Sequence, residues 1–224
     1  MIDFDNVGAW PMELTGWLKL LESQTDQAQR SQIVEQVRRS LQGARIKTYH
    51  CTRLLQSEVE SIKANGLQPS SPELAQDKRE AARNAGRPLP LWTQEDPRGK
   101  TWFYHRRSDL DAAIVGPLLR SWGGKELLAN TRGVVDLAAK PYIIAFDYPV
   151  AELKYVFGNH WCALEAKIVN QYLAQFSPVE PADIAFESCI DKPVRVEASD
   201  IVSPADARFS SLTNYWDDLN SHVA

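Results

Sequence analysis

Short β-prone segments, separated by helices and irregular loops, are the feature that most limits which folds this chain can adopt. The longest apolar run, residues 142–146, has the length of a strand and is far too short to cross a membrane. Strands are predicted over residues 45–51, 101–107, 142–148, 183–190 and 193–202. Because helices interrupt these strands without a regular βαβ repeat, the sequence predicts an α+β fold.

A pair of helices is predicted over residues 11–42, ahead of the first strand. The apolar positions of the first helix recur at helical spacing: Leu14, Trp17, Leu18 and Leu21. Asp26 is placed to cap the second helix, and Gly43 is placed to end it. We therefore predict a helical extension over residues 1–44 and a main domain over residues 45–224.

Further helices are predicted downstream of the first strand. They cover residues 57–65, residues near 73–85, residues 161–176 and part of the tail that follows Pro204. Ser57 and Glu60 have the three-residue spacing of a capping box at the start of the first of these helices. The positions expected to face inward on the 161–176 helix are Leu164, Ile168, Tyr172 and Phe176.

The charge balance and the cysteine content limit the kinds of partner and site. The chain has 25 Lys and Arg residues against 29 Asp and Glu residues, a net charge of −4. This balance argues against a generally basic nucleic-acid-binding protein, although it allows a local basic cleft. The three cysteines form no Cys-x-x-Cys pair, so neither a disulfide framework nor a metal site is expected. The first residues lack the segments of a signal peptide, and we expect a soluble, cytoplasmic protein with no membrane partner.

The most informative motif is Tyr-His-Cys-Thr-Arg at residues 49–53, which a helix and an Asn-Gly-Leu turn at 65–67 follow. It resembles the first motif of the ADP-ribosyltransferase superfamily, in the branch that carries a His-Tyr-Glu triad. In that branch a strand carries His-Gly-(Thr/Ser), and a helix then runs to a Gly-Leu turn. Cys51 stands where the family has glycine, a residue whose backbone binds the nicotinamide carboxamide of NAD⁺. The resemblance implies that the backbone of Cys51 takes that role.

A second segment, Gly-Lys-Thr-Trp-Phe-Tyr at residues 99–104, resembles the family motif Gly-x-Gly-(Ile/Val)-Tyr-Phe. Either Trp102 or Tyr104 matches the family tyrosine, which stacks on the nicotinamide ring, and we favour Tyr104. Strand alternation places both aromatic residues on one face, together with Arg106, so both can line a single cleft.

The third family motif is a glutamate near the start of a late strand. Glu187, in the predicted strand 183–190, matches it best, and Glu197 is the alternative. In the family this carboxylate holds the hydroxyls of the nicotinamide ribose and stabilises the positive charge that develops as nicotinamide leaves. A fixed carboxylate in a dry site suits a transition state of oxocarbenium character.

The resemblance spans roughly residues 45–202 and implies a split antiparallel β-sheet with NAD as co-substrate. The implied catalytic residues are Glu187, Tyr104 and His50. The implied NAD-binding residues are His50, Cys51, Thr52, Arg53, Trp102 and Tyr104. Arg53 would contact the pyrophosphate, because two phosphates need a cationic partner.

The implied activity is NAD-dependent ADP-ribosyl transfer to a macromolecular acceptor, either nucleic acid or protein. Family members that modify protein side chains often carry a second acid two residues before the glutamate, and Ala185 occupies that position here. This difference favours a nucleic-acid acceptor. By analogy the protein is a toxin or an anti-phage or host-modifying effector, with an antitoxin or inhibitory partner. The alternatives are a non-catalytic interaction module that kept the fold and an enzyme similar to the tRNA 2′-phosphotransferases.

Overall fold

A single antiparallel sheet organises the part of the chain that the computed structural model describes, which is residues 1–84, 99–110, 118–119, 139–157, 160–174 and 186–213. Its strands are β1 (Arg45–Leu54), β2 (Thr101–Tyr104), β3 (Lys140–Pro149), β4 (Lys154–Phe157), β5 (His160–Ala163), β6 (Glu187–Ile190) and β7 (Ile201–Val202). The helices are α1 (Met12–Ser23), α2 (Gln27–Gln42), α3 (Gln56–Asn65), α4 (Pro72–Asn84), α5 (Arg107–Leu110), α6 (Leu164–Ala174) and α7 (Ala207–Leu212). Short 3₁₀ turns cover Val7–Ala9, Val150–Glu152 and Ala198–Asp200. This mixture of helices with an antiparallel sheet confirms the α+β prediction.

The strand order is β5-β4-β6-β2-β1-β3-β7, and the pairing between neighbouring strands is uneven. β1 and β3 pair along their whole length, from Arg45 opposite Pro149 to Leu54 opposite Lys140. β1 and β2, in contrast, are joined at one register pair, Tyr49 opposite Tyr104. The β1–β2 pairing is therefore much shorter than the β1–β3 pairing, within one continuous sheet.

The alternation of β1 divides its side chains between two hydrophobic cores. Ile46 and Leu54 pack in the larger core, which lies between the sheet and helices α1, α2, α3 and α6. Tyr49 and Cys51, on the other face, pack in a smaller core with Phe209 of α7. Both faces of the central strand are therefore buried, as its run of β-prone residues requires.

The predicted helical pair is confirmed as α1 and α2. The side chain of Asp26 accepts a hydrogen bond from the backbone of Gln29, and Gly43 follows the last turn of α2. The segment ahead of α1 also belongs to the main core: Ile2 bridges to Ile46 of β1, and Trp10 is buried. Residues 1–44 thus share one hydrophobic core with the sheet.

Three predictions of secondary structure are wrong. The predicted strand 101–107 ends at Tyr104, and Arg107 already begins α5. Tertiary pairing explains the other two. Residues 161–163 belong to β5 and not to a helix, because β4, a strand the pattern did not reveal, pairs with them from Lys154 opposite Ala163. The predicted strand 193–202 is reduced to Ile201–Val202, while Val194 makes an isolated bridge to Leu67. The end of the predicted 161–176 helix lies beyond Ala174, outside the described residues.

The cap of α3 also differs from the prediction. The helix begins at Gln56, and the carboxylate of Glu58 accepts the backbone N–H of Leu55 at 2.7 Å. Glu60 instead accepts a hydrogen bond from Lys63 on the helix surface. The capping pair, Leu55 and Glu58, therefore lies two residues before the predicted pair, Ser57 and Glu60, because α3 begins almost directly after β1.

Of the predicted C-terminal helix, the described residues contain α7, with Phe209 buried beneath it. No helix in the ranges given above combines the length and the apolar character needed to cross a membrane.

Candidate functional site

A cleft opens where β1 and β2 separate beyond the Tyr49–Tyr104 pair. It holds about 950 Å³ of space not filled by protein atoms, part of it open to solvent. β1 contributes His50, Cys51, Thr52 and Leu54 to its walls, and β2 with the residue before it contributes Lys100, Thr101, Trp102 and Tyr104. Its other wall comes from α3 and the turn after it, with Glu58, Ser61, Ile62, Gly66, Leu67 and Gln68. The first two sequence motifs therefore face each other across one cleft.

His50 connects these two motifs directly. Its Nδ1 lies 2.9 Å from the carbonyl oxygen of Trp102, so the ring donates from Nδ1 to the neighbouring strand. This bond spans the gap between β1 and β2 and fixes both the orientation of the imidazole and its tautomer. A neutral His50 then carries its second ring nitrogen, Nε2, as an acceptor.

Tyr104 and Trp102 both line the cleft, so the structure brings together the two alternatives for the family tyrosine. Tyr104 is 2% exposed, and its hydroxyl has no hydrogen-bond partner among the described residues. Burial first, and then the charge of Glu187, raise the pKa of this phenol well above its usual range. Tyr104 therefore stays a neutral hydroxyl whose hydrogen-bonding capacity is unused within the described protein.

The hydroxyl of Thr101 is the second buried polar group in the lining without a partner in the described part of the chain. Leaving a buried hydroxyl without a hydrogen bond costs about 1–3 kcal/mol. Thr101 and Tyr104 are three residues apart on β2, so their side chains point to opposite faces of the sheet and each hydroxyl needs a partner of its own.

Cys51 and Thr52 follow His50 in the cleft lining. The Cys51 side chain is buried in the smaller core beside Tyr104 and Ile143, and burial raises the pKa of its thiol far above the ordinary value. The thiol is therefore protonated and unsuited to act as a nucleophile. Thr52 is buried on the opposite face of β1.

The predicted phosphate-binding residue, Arg53, is not among the residues that line the cleft. Its Nη1 donates to the carbonyl oxygen of Leu119 at 3.5 Å. Lys100 does line the cleft, and sequence reasoning missed it. Its Nζ donates to Asp191 at 2.9 Å and lies 5.0 Å from the centre of the Trp161 ring.

Glu187 lies at the start of β6, directly opposite Tyr104 in the β2–β6 register. Opposite residues of antiparallel strands point to the same face, so the carboxylate lies one strand beyond the Tyr104 wall of the cleft. It is half-buried and is not itself among the cleft-lining residues. The alternative, Glu197, precedes a 3₁₀ turn outside the sheet, is largely exposed and pairs with Arg195 at 3.1 Å. The geometry thus favours Glu187 over Glu197.

A buried carboxylate, that of Asp109, holds the backbone of the residue that precedes β6. Asp109 accepts the backbone N–H of Phe186 at 3.3 Å and pairs with Arg106 at 2.6 Å. Burial is the largest effect on Asp109 and raises the pKa of its carboxyl. Arg106, which shares a strand face with Trp102 and Tyr104 in the sequence prediction, therefore serves a structural ion pair.

A second network, which sequence reasoning did not reveal, holds β6 against β2 from the far side of the sheet. His105 is fully buried, and its Nδ1 donates to the carbonyl of Lys47 at 3.0 Å. Its Nε2 therefore accepts a hydrogen bond from the hydroxyl of Ser188, at 2.7 Å. Since His105 follows Tyr104 and Ser188 follows Glu187, this network fixes the register of the two candidate residues.

The described residues contain no cluster of three or more His, Cys, Asp or Glu side chains that could hold a metal ion. No protein-family model, no curated protein and no solved structure matches this chain at a significant level.

Proposed function

We propose that this chain is an NAD⁺-dependent ADP-ribosyltransferase that modifies a macromolecular acceptor. One observation carries the proposal: the three strands that bear the His, aromatic and Glu motifs, β1, β2 and β6, are adjacent at the centre of the sheet. They are far apart in sequence, so their adjacency was not implied by spacing alone. The cleft between β1 and β2 supports the same activity, because it joins two of the motifs.

The residues of the cleft fit NAD⁺. Trp102 offers an indole that can stack on a flat ring, and the hydroxyls of Tyr104 and Thr101 are buried without partners among the described residues. His50 offers an oriented imidazole for a ribose hydroxyl, and Lys100 offers a cation for phosphate. The fit departs from the family at one point, since Arg53 is not in the lining and Lys100 is.

NAD⁺ would supply the ADP-ribosyl group and would release nicotinamide as the leaving group. Glu187 would stabilise positive charge that develops at the sugar, because its carboxylate is fixed on a strand whose register is set by Ser188 and Asp109. Tyr104, which lines the cleft and lies opposite Glu187 on the neighbouring strand, would place the reacting sugar on this side of the cleft and, being neutral, would add no competing charge. His50 would hold the adenosine ribose at a distance from the reacting bond.

Cys51 is compatible with this arrangement. The residue is 2% exposed, its side chain packs in the smaller core, and Cys51 lines the cleft between His50 and Thr52. A side chain that is buried away from solvent leaves the backbone to make the contact that glycine makes in the family.

The direct test is incubation of the protein with adenine-labelled NAD⁺ and a cell extract, followed by separate nuclease and protease digestion. Label released by nuclease alone identifies a nucleic-acid acceptor, and label released by protease alone identifies a protein acceptor. A folded protein that transfers no label to either fraction would contradict the proposal.

Glu187→Gln tests the catalytic assignment, with Glu197→Gln as the matched control. We expect Glu187→Gln to retain NAD⁺ binding but to lose transfer by about 100-fold or more, because a fixed charge that stabilises the transition state is removed. We expect Glu197→Gln to transfer at the wild-type rate, since Glu197 is exposed and outside the sheet.

A thermal-shift measurement with NAD⁺ checks that both variants still bind. Saturation at 100 times the dissociation constant stabilises a protein by about 2.7 kcal/mol, so binding produces a clear rise in Tm. If the Glu187→Gln protein transferred ADP-ribose at the wild-type rate, Glu187 would not be a catalytic residue.

A further inference from the structure

Trp161, on β5, is an exposed aromatic residue beside the cleft. It is 44% exposed, and its ring centre lies 6.2 Å from that of Trp102 with the two planes tilted by 40°. Trp102 is itself part of the cleft wall. The two neighbouring indole rings therefore extend from the cleft wall to the protein surface, and we call this pair the tryptophan step.

The register of the sheet places this step on the same face as the candidate carboxylate. Trp161 lies opposite Val156, Lys154 lies opposite Cys189, and Cys189 lies opposite Trp102. Residues directly opposite, or two apart on one strand, share a face. Glu187 is two residues from Cys189, so Trp161, Trp102 and Glu187 all point to one side of the sheet.

One lysine lies over the Trp161 ring, and a second shares its carboxylate partner. Lys100 lies over the Trp161 ring at 5.0 Å and pairs with Asp191 at 2.9 Å. Lys154 lies 4.0 Å from the same carboxylate. Two ammonium groups thus share one carboxylate beside Trp161, whereas the whole chain carries a net charge of −4.

We propose that Trp161, with Lys100 over its ring, forms a stacking platform beside Trp102 that binds a base of single-stranded nucleic acid on the sheet face that also carries Glu187. Exposed aromatic rings with nearby cations are the elements of single-stranded nucleic-acid sites, where each base stacks on a ring and lysines follow the phosphates. The inference names the acceptor class for the proposed transferase and rests on that function for its role, although binding itself does not require NAD⁺.

The observations favour a nucleobase over a protein side chain. The step offers an exposed indole with a cation beside it rather than a closed apolar pocket for an aliphatic anchor.

Fluorescence anisotropy with labelled single-stranded DNA and RNA oligonucleotides of mixed sequence tests the platform, using the full chain without NAD⁺. We expect Trp161→Ala to weaken binding by about tenfold or more, because one stacked base is lost. We expect Trp161→Phe to retain most of the affinity. Leu20→Ala is the matched control, since Leu20 is equally exposed, at 44%, on α1.

The outcomes of this experiment distinguish failure of the stacking platform from failure of the proposed transferase activity. Wild-type affinity in Trp161→Ala, or the absence of oligonucleotide binding by a wild-type protein that shows a thermal shift with NAD⁺, overturns the platform and leaves the transferase proposal standing. Transfer of label to protein alone overturns it as well. Oligonucleotide binding that depends on Trp161, in a protein that shows no shift with NAD⁺, supports the platform and contradicts the transferase.

Discussion

At the scale of single residues, Tyr49 and Tyr104 are directly opposite in the β1–β2 pair, but the hydroxyl of one has a hydrogen-bond partner and the hydroxyl of the other has none among the described residues. Tyr49 donates its hydroxyl to Asp5 at 3.2 Å, while the hydroxyl of Tyr104 has no partner within the described part of the protein. Both side chains are almost completely buried. One hydroxyl thus stabilises the fold, and the other is held at the base of the cleft at a cost to stability.

Replacing each tyrosine by phenylalanine separates these two roles. We expect Tyr104→Phe to raise the free energy of unfolding by about 1 kcal/mol, because a buried group without a partner is removed. We expect Tyr49→Phe to lower it by about 1 kcal/mol, because a made hydrogen bond is lost. Urea unfolding of both variants measures the difference. Equal destabilisation would mean that Tyr104 has a partner in the folded protein.

The same two variants, Tyr104→Phe and Tyr49→Phe, test whether Tyr104 contributes to NAD⁺ binding. We expect the rise in Tm with NAD⁺ to be smaller for Tyr104→Phe than for wild type, and unchanged for Tyr49→Phe. A stabilised variant with weakened ligand binding is the signature of a polar group kept for function.

At the scale of elements, the turn after α3 closes the far wall of the cleft. Gly66 ends α3 with φ of +79°, and a Cβ there would lie 2.5 Å from the carbonyl oxygen of Val194. That carbonyl accepts the N–H of Leu67 at 2.8 Å, and Leu67 accepts the N–H of Val194 at 2.9 Å. The glycine therefore permits the close approach that anchors α3 to the segment after β6.

Gly66→Ala is expected to lower the free energy of unfolding by about 2 kcal/mol or more, since it combines backbone strain with a collision against main-chain atoms. Gly16→Ala is the control, for which we expect the free energy of unfolding to increase. Gly16 is exposed within α1 with open space around its Cα, so alanine there should stabilise by about 0.5–1 kcal/mol. Chemical denaturation of both variants checks the contrast. Wild-type stability for Gly66→Ala would show that the turn tolerates a side chain.

At the scale of the whole molecule, the N-terminal segment and the candidate site belong to one packed unit. The Phe4 ring lies edge-on to Trp10 at 4.8 Å and to Phe186 at 4.9 Å. Phe186 directly precedes Glu187. Stability of the N-terminal segment is therefore coupled by direct packing to the strand that carries the candidate carboxylate.

The pH dependence of global stability follows from His105. Burial is the largest effect on this ring and lowers its pKa to about 4, against 6.5 for an ordinary histidine. Between these values the unfolded chain binds a proton and the folded chain does not. Stability therefore falls as the pH decreases through this window, by about 3 kcal/mol in total, and His105 makes no such contribution above pH 6.5.

Urea unfolding between pH 7 and pH 4 measures this slope. We expect His105→Gln to be less stable at pH 7, because the bonds to Lys47 and Ser188 are weakened, but to lose less stability on acidification than wild type. Substitution of the exposed His160 by glutamine should leave the wild-type slope in place. An unaltered slope in His105→Gln would assign the acid sensitivity to other groups.

Local patterns along the chain were sufficient to predict much of the fold. The helical spacing that begins at Leu14, the cap at Asp26 and the alternation around His50 depend on neighbours within a few residues, and the structure confirms the corresponding helices and strand. Pairing between strands that are distant in sequence could not be predicted from such local patterns. β4 and β5 are short strands whose β-structure depends on each other, so the apolar positions around Leu164 extended the predicted helix into Trp161.

The sequence by itself determined the residue types of the candidate site and their order along the chain: His50, the aromatic pair Trp102 and Tyr104, and Glu187. Only the tertiary structure decided that their strands are neighbours, that β1 and β2 part to leave a cleft, and that Lys100 rather than Arg53 faces it. The physical reason is that residue chemistry is a local property, whereas strand order and register are set by burying apolar side chains that lie far apart in the sequence.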